Sequence, residues 1–157
     1  MAGSMDEIKE IHSWFKDNVT MLVDEKVDLD GKLDGIEIIG VDDVPSSKVL
    51  TEKYNKIPRD DSKFRVLLSH RPSPLASTVP NSARPELLLA GHTHGGCQFF
   101  MFLPFVKFAY PLTSGLYRNA YGTPTTVYTS PGTGIWGPPV KQYGKSLVTN
   151  IDLIPSK

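Results

Sequence analysis

Two stretches decide the reading: Phe64-Arg65-Val66-Leu67-Leu68 followed by Ser69-His70-Arg71-Pro72, and Glu86-Leu87-Leu88-Leu89-Ala90 followed by Gly91-His92-Thr93-His94-Gly95-Gly96. Each opens with a short apolar run of the length and composition of a buried strand. The connection, residues 71 to 85, holds four prolines, and a short helix is an option around Pro74–Val79. Strand, crossover, strand predicts parallel neighbours in one sheet, with their C-terminal ends on the same edge. Open α/β sheets place ligands at that edge. His70 follows the first strand after one serine, and His92 follows the second after one glycine. Both imidazoles are therefore expected at the same rim.

His94 lies two residues beyond His92, and in extended backbone such side chains share a face. The flanking glycines allow tight turns that would aim both rings at one point. Neutral imidazole is the commonest side-chain metal ligand and suits zinc, iron and manganese. His70, His92 and His94 are thus the candidate metal ligands. The remaining histidine, His12, sits among charged residues of an N-terminal segment and is assigned no role.

Outward from these motifs, Met5, Ile8, Ile11 and Phe15 recur at helical spacing and predict an amphipathic helix over 5–17, capped by Ser4 and Glu7. A strand at Val19–Val23, a turn at Leu29-Asp30-Gly31-Lys32 and a strand at Ile36–Val41 predict a hairpin. Residues 46–56 read as a polar helix ended by Pro58. Further strands are expected at Thr125–Thr129 and Leu147–Leu153. Asp42-Asp43 reads as a turn or cap pair.

The chain's 157 residues allow one domain with a core of its own and are short for two. Lys+Arg and Asp+Glu both number 17, so no basic excess points to a nucleic-acid partner. Cys97 is the only cysteine, which excludes an internal disulfide. Asp6, Glu7 and Glu10 interrupt any signal-peptide pattern. The most apolar run, Phe99 to Leu112, contains Lys107 and two prolines and is too short to span a bilayer. It reads as a buried or partly buried loop, with a resting place on a membrane surface as the other option.

The ordered motifs resemble the last two motifs of the calcineurin-like metallophosphoesterases. Those motifs are Ser69-His70-Arg71-Pro72 and Ala90-Gly91-His92-Thr93-His94-Gly95-Gly96, followed by Ser114–Arg118, Ser130–Gly134 and Trp136-Gly137-Pro138-Pro139. The nearest likeness is to a branch with membrane-associated members. The resemblance implies an α/β fold, the C-terminal half of a sandwich of two β-sheets flanked by helices. It implies hydrolysis of phosphomonoesters or phosphodiesters with two divalent metal ions (zinc, manganese, iron or similar). His70 and His92 match the histidines of the second metal, and His94 matches a ligand of the first.

The family's earlier motifs, Asp-x-His, Gly-Asp and Gly-Asn-His-Glu, do not occur in these residues. No catalytic residue is therefore assigned, and residues 1–157 are expected to be one partial phosphoesterase domain without its N-terminal metal-binding half. Cys97 stands where the branch has a glutamine. On this reading the intact parent is a metal-dependent hydrolase acting on a phosphoester substrate, and this chain alone is inactive. The alternative is an inactive half-domain that binds a partner or self-associates through exposed sheet edges. A single zinc held by the three histidines is a further option.

Overall fold

In a computed structural model of the chain, the described residues are 10, 13–14, 19–43, 47–72, 83–95, 103–109, 111–133 and 147–154. Strand β1 (Glu25–Asp28) forms a hairpin with β2 (Ile36–Gly40), across a turn that contains a 3-10 segment at Gly31–Leu33. Helix α1 (Ser47–Tyr54) leads to β3 (Phe64–Leu68) and β4 (Leu87–Ala90). Helix α2 (Leu103–Ala109), β5 (Gly115–Tyr117) and β6 (Thr126–Thr129) follow. The sheet order is β1-β2-β3-β4-β6-β5. The four central strands run parallel, and the two edge strands run antiparallel to their neighbours. The α/β class expected from the sequence is the class observed.

The sheet's register explains its core. Ile39 stands opposite Leu67, Leu67 opposite Leu88, and Leu88 opposite Val127. All four are fully buried, forming one apolar row across the central strands. Leu50 and Tyr54 of α1, with Ile57 just beyond it, belong to the same core cluster. Each such side chain contributes about 1.5–3 kcal/mol on burial, so this row is the main adhesive of the sheet. The helix over 46–56 is therefore polar on one side only.

At the N-terminal ends of the parallel strands a second, ionic row crosses the same face. Glu37 and Arg65 are register partners, and both are buried. The Arg65 Nε donates to the Glu37 carboxylate, Nη2 to the Pro58 carbonyl at 2.8 Å, and Nη1 to the Tyr54 hydroxyl at 3.3 Å. Lys26 Nζ reaches the other Glu37 oxygen at 2.9 Å. Buried charges persist only when paired and hydrogen-bonded in this way. The cluster lies at the end of the sheet opposite the histidines.

Three expectations are corrected. The first hairpin strand is Glu25–Asp28, not Val19–Val23, because the turn brings Val27 opposite Ile38. Leu22 instead lies across the end of β2, so close that a Cβ built on Gly40 would meet its Cβ and carbonyl oxygen at 2.5 Å. No strand forms over 147–154. The open side of β6 is taken by β5, a three-residue strand too short for any periodicity to reveal. The run expected as a buried loop contains helix α2, on which Phe105 and Phe108 are exposed. The helix over 5–17 and the segment around Pro74–Val79 lie largely or wholly outside the described residues.

Candidate metal centre

The parallel pairing of β3 and β4 ends with Leu68 opposite Leu89. Beyond that point the two chains stay together: Ser69 N donates to Leu89 O at 3.0 Å, and Gly91 N donates to His70 O at 3.0 Å. These two bonds hold the loops side by side, and the imidazoles follow. His92 Nδ1 lies 3.2 Å from His70 Nε2, with the ring centroids 5.0 Å apart and the rings nearly perpendicular. Sequence reasoning placed both histidines at one rim, and the structure brings their nitrogens face to face.

The turn that carries His92 and His94 is not extended. His92 has φ +68°, His94 φ +49° and Gly95 φ +75°, all left-handed. Residues other than glycine occupy this region at a cost of about 1–3 kcal/mol each, usually where a side chain has to be aimed. The unusual dihedrals were expected at the glycines, but the histidines share them. Thr93, between them, is buried, and its hydroxyl donates to the Thr113 carbonyl, which pins the turn to the segment before β5. His94 is half-buried one turn position beyond Thr93.

A guanidinium completes the cluster. Arg71 Nη1 lies 3.4 Å from His92 Nε2, while Nε and Nη2 donate to the two oxygens of Asp43 at 2.7 and 3.3 Å. Asp43 comes from the loop after β2, so the loops after three adjacent parallel strands meet at the rim, with His70 and Arg71 both following β3. Ser69 Oγ donates to the Arg71 carbonyl at 3.1 Å, and Tyr121 donates to the Pro72 carbonyl at 3.0 Å. Sequence reasoning missed Asp43 and Arg71, having read Asp42-Asp43 as a turn or cap pair. The available signal was their position: Asp43 and Arg71 each stand three residues after the last paired residue of neighbouring strands.

The electrostatics are consistent with this geometry. Burial, then the Arg71 charge, then His70 hold the His92 pKa below that of free imidazole, and His94 adds a smaller push the same way. The Arg71 hydrogen bonds hold the Asp43 carboxyl below the usual carboxylate range. A guanidinium only donates, so His92 Nε2 accepts and Nδ1 carries the proton toward His70 Nε2. Beside the pair runs a cleft of about 310 Å³ lined by Leu22, Gly40, Val41, Leu68, His70 and Leu89, among others.

Do these residues fit a divalent cation? Imidazole nitrogens bound at about 2.0–2.1 Å to one zinc stand roughly 3 Å apart, close to the separation seen between His70 and His92. Ligation requires each imidazole to present a lone pair, and the lowered pKa of His92 favours its neutral form, whose Nδ1 proton a cation would displace. The pair therefore fits two positions of such a centre. Among the described residues, no group of three or more His, Cys, Asp or Glu side chains is arranged to enclose a metal ion. Cys97 lies outside the described residues.

No family model matches the chain, and no solved structure matches it. Curated proteins do. An uncharacterized metallophosphoesterase of Helicobacter pylori is 35% identical over 147 residues, covering 88% of this chain and 36% of that protein. One from a second Helicobacter pylori strain is 40% identical over 97 residues, 62% of this chain and 25% of that protein. A transmembrane protein with metallophosphoesterase domain from Danio rerio is 36% identical over 88 residues, 56% of this chain and 20% of that protein. The chain thus spans about a third of the first relative and less of the others. With the paired histidines at the rim of a parallel sheet, these likenesses carry one conclusion: the chain belongs to the metallophosphoesterase family.

Proposed function

We propose that this chain supplies the histidine ligands of a dinuclear metal-dependent phosphoesterase, which hydrolyses a phosphomonoester or phosphodiester. His70 and His92 would hold one cation and His94 would contribute to the other. The observation that carries the reading is the approach of His92 Nδ1 to His70 Nε2. When bound, a pair of divalent cations lowers the pKa of a bridging water and neutralises charge on a phosphoryl group.

The chain's own residues do three things in this scheme. The register of β3 and β4 fixes the two rings, burial keeps His92 in its ligating, neutral form, and the Thr93 anchor holds the strained turn in place. The remaining ligands would come from a whole protein longer than this chain, which spans 36% of the length of its first relative. Activity is accordingly proposed for that whole protein, with this chain as one partial domain.

Titration with zinc or manganese, followed by calorimetry and elemental analysis, tests the reading. Saturable uptake by the wild-type chain should be lost in His70→Ala and in His92→Ala. Equal uptake by all three would overturn it.

Membrane proximity is part of the proposal. Phe105 and Phe108 are 71% and 92% exposed on α2, with Lys107 between them in sequence. Relatives from Danio rerio and Bos taurus are named transmembrane proteins. Among the described residues no helix is long and apolar enough to cross a membrane. The contact we propose is at the membrane surface, where the exposed aromatic side chains and lysine of α2 suit the lipid interface. Flotation with anionic vesicles should be lost in the Phe105→Ser/Phe108→Ser double variant, and unchanged flotation would sink this element.

A second reading is supported by Phe64, Leu68 and Leu116, which are exposed on the sheet. They would serve an inactive module that self-associates or binds a partner. Sedimentation of the chain as a monomer at high concentration would count against self-association.

A further inference from the structure

We infer that Tyr121 is a positioning residue for the candidate metal centre: from the turn before β6, its hydroxyl holds the backbone two residues beyond His70 and so sets where the His70 imidazole stands against His92. The inference rests on the reading of His70 and His92 as metal ligands, and adds to it a residue that no histidine motif contains.

The argument starts from the exit of β3, where His70, Arg71 and Pro72 follow one another and each carbonyl accepts a hydrogen bond. Gly91 N donates to His70 O at 3.0 Å and Ser69 Oγ to Arg71 O at 3.1 Å, both from within the two histidine loops. The third donor, the Tyr121 hydroxyl at 3.0 Å from Pro72 O, comes from 49 residues away. Strand pairing does not account for that bond, because β4 separates β3 from β6 in the sheet. Pro72 is buried, its ring fixes its own φ, and it steers Arg71 away from helical backbone. Few free torsions therefore lie between the held carbonyl and His70, and moving one moves the other.

Tyr121 is itself held in an unusual conformation. Its φ is +55°, in a turn with Asn119 at +51° and Gly122 at +69°. A bulky side chain in that region is an outlier that the surrounding structure has to enforce, and such outliers gather where a group must be aimed. Here the enforcement is visible. Ala120 N donates to Thr125 O at 3.0 Å, and the Thr123 hydroxyl donates to Ala120 O at 2.7 Å. The buried Thr125 hydroxyl donates to Pro85 O at 2.8 Å, just ahead of β4. The Tyr121 ring packs against the core cluster, and burial raises the pKa of its phenol, which keeps the proton that it donates. The same β5–β6 unit reaches the other loop, since the Thr93 hydroxyl donates to the Thr113 carbonyl just before β5. One short unit thus ties both histidine loops to a common base, Thr113 serving the loop of His92 and His94, and Tyr121 the loop of His70. Ligands need this kind of support behind them to stay in register with one another.

The experiment uses the full chain, with zinc and cobalt(II) as probes. Tyr121→Phe removes the hydroxyl and keeps the ring. Tyr117→Phe is the control, because the Tyr117 hydroxyl is bonded locally, to the Ser114 carbonyl at 2.8 Å. Zinc affinity is measured by competition with a chromophoric chelator, site geometry by the cobalt(II) absorption spectrum, and folding by urea denaturation. Tyr121→Phe should weaken zinc binding roughly tenfold, the low end of what losing an outer-shell support costs a metal site, and should alter the cobalt(II) spectrum. Tyr117→Phe should leave both unchanged, although it too loses a hydroxyl hydrogen bond. Zinc affinity equal in wild type and Tyr121→Phe, or lowered as much by Tyr117→Phe, overturns the inference and leaves the metal reading standing. If wild type takes up no zinc, the metal reading falls, and the nuclear Overhauser effect between the His70 and His92 rings of the metal-free chain decides. Its weakening in Tyr121→Phe alone supports positioning by Tyr121; its persistence there, or an equal loss in both variants, overturns it. Should Tyr121→Phe fail to fold, wild type carries the test, because coupling between two sites is reciprocal. Zinc should then shift the Tyr121 ring resonances and leave those of Tyr117 in place, and Tyr121 resonances indifferent to zinc overturn the inference.

Discussion

Leu68 stands directly opposite Leu89 in the parallel pairing of β3 and β4, and the approach of His70 to His92 follows from that one match. Each leucine is the last paired residue on its side of the ladder or next to it, and the histidines emerge two and three residues later. A slip of one residue would move every side chain of a strand to the opposite face. The register is protected by the fully buried row Ile39, Leu67, Leu88 and Val127 beneath it. Leu88→Ala should therefore destabilise the chain by about 2–5 kcal/mol and also weaken metal uptake, although Leu88 touches no proposed ligand. Chemical denaturation and a zinc titration on the same sample check both halves of the statement.

The strained turn offers a way to separate function from stability. His94 holds a left-handed φ of +49°, which glycine adopts without penalty. His94→Gly should leave the folding free energy unchanged or raise it by up to about 1 kcal/mol, the relieved strain being partly offset by unfolded-chain entropy. Metal uptake at the second position should fall. A His94→Gly chain that is clearly less stable than wild type would mean the imidazole has a packing role instead.

How much of this was legible in the chain's letters differs by element. The central strands and the rim were readable because apolar runs and their punctuation are local signals, and His70 and His92 follow those runs at short offsets. The hairpin strand was misplaced because Val19–Val23 is more apolar than Glu25–Asp28, while the turn geometry selects the latter. Strand β5 was invisible because three residues carry no period, and its existence depends on β6 having an open side. Asp43 and Arg71 were missed for a different reason. Their partnership spans 28 residues of sequence and exists only because β2 and β3 are neighbours.

Gly40 is a position where space decides. A Cβ there would meet the Leu22 Cβ and carbonyl oxygen at 2.5 Å, and a backbone atom cannot swing aside as a side-chain tip can. Gly40→Ala should cost about 1–3 kcal/mol and should displace the segment carrying Leu22 from the cleft beside His70. Thermal unfolding, together with amide exchange at residues 20–22, reads out the two effects.

The buried pair at the far end of the sheet should behave asymmetrically. Glu37→Gln leaves Arg65 charged and buried, and should destabilise by about 3–5 kcal/mol, since the penalty is that of an unpaired interior charge. Replacing both, Glu37→Leu with Arg65→Met, should cost much less than the single change, although Tyr54 and Pro58 then lose a donor. A double variant as unstable as the single would show that the hydrogen bonds to Tyr54 and Pro58 matter more than the ion pair. Neither change should alter metal uptake if the fold persists.

The protonation of His92 gives the remaining test, made on metal-free protein. Burial, the Arg71 charge and His70 all disfavour its charged form, so its folded pKa lies below the ordinary value of 6.5. The unfolded chain then binds the proton more readily than the folded one. Stability is complete above pH 6.5 and declines as pH falls from there toward the folded pKa. A proton NMR titration of the His92 ring should show a midpoint under 6.5. Arg71→Gln should move that midpoint up by removing a positive neighbour. Asp43→Asn should move it down, because the Asp43 charge is the one neighbour that favours the imidazolium. A midpoint that responds to neither substitution would place the guanidinium and carboxylate farther from the ring than the structure does.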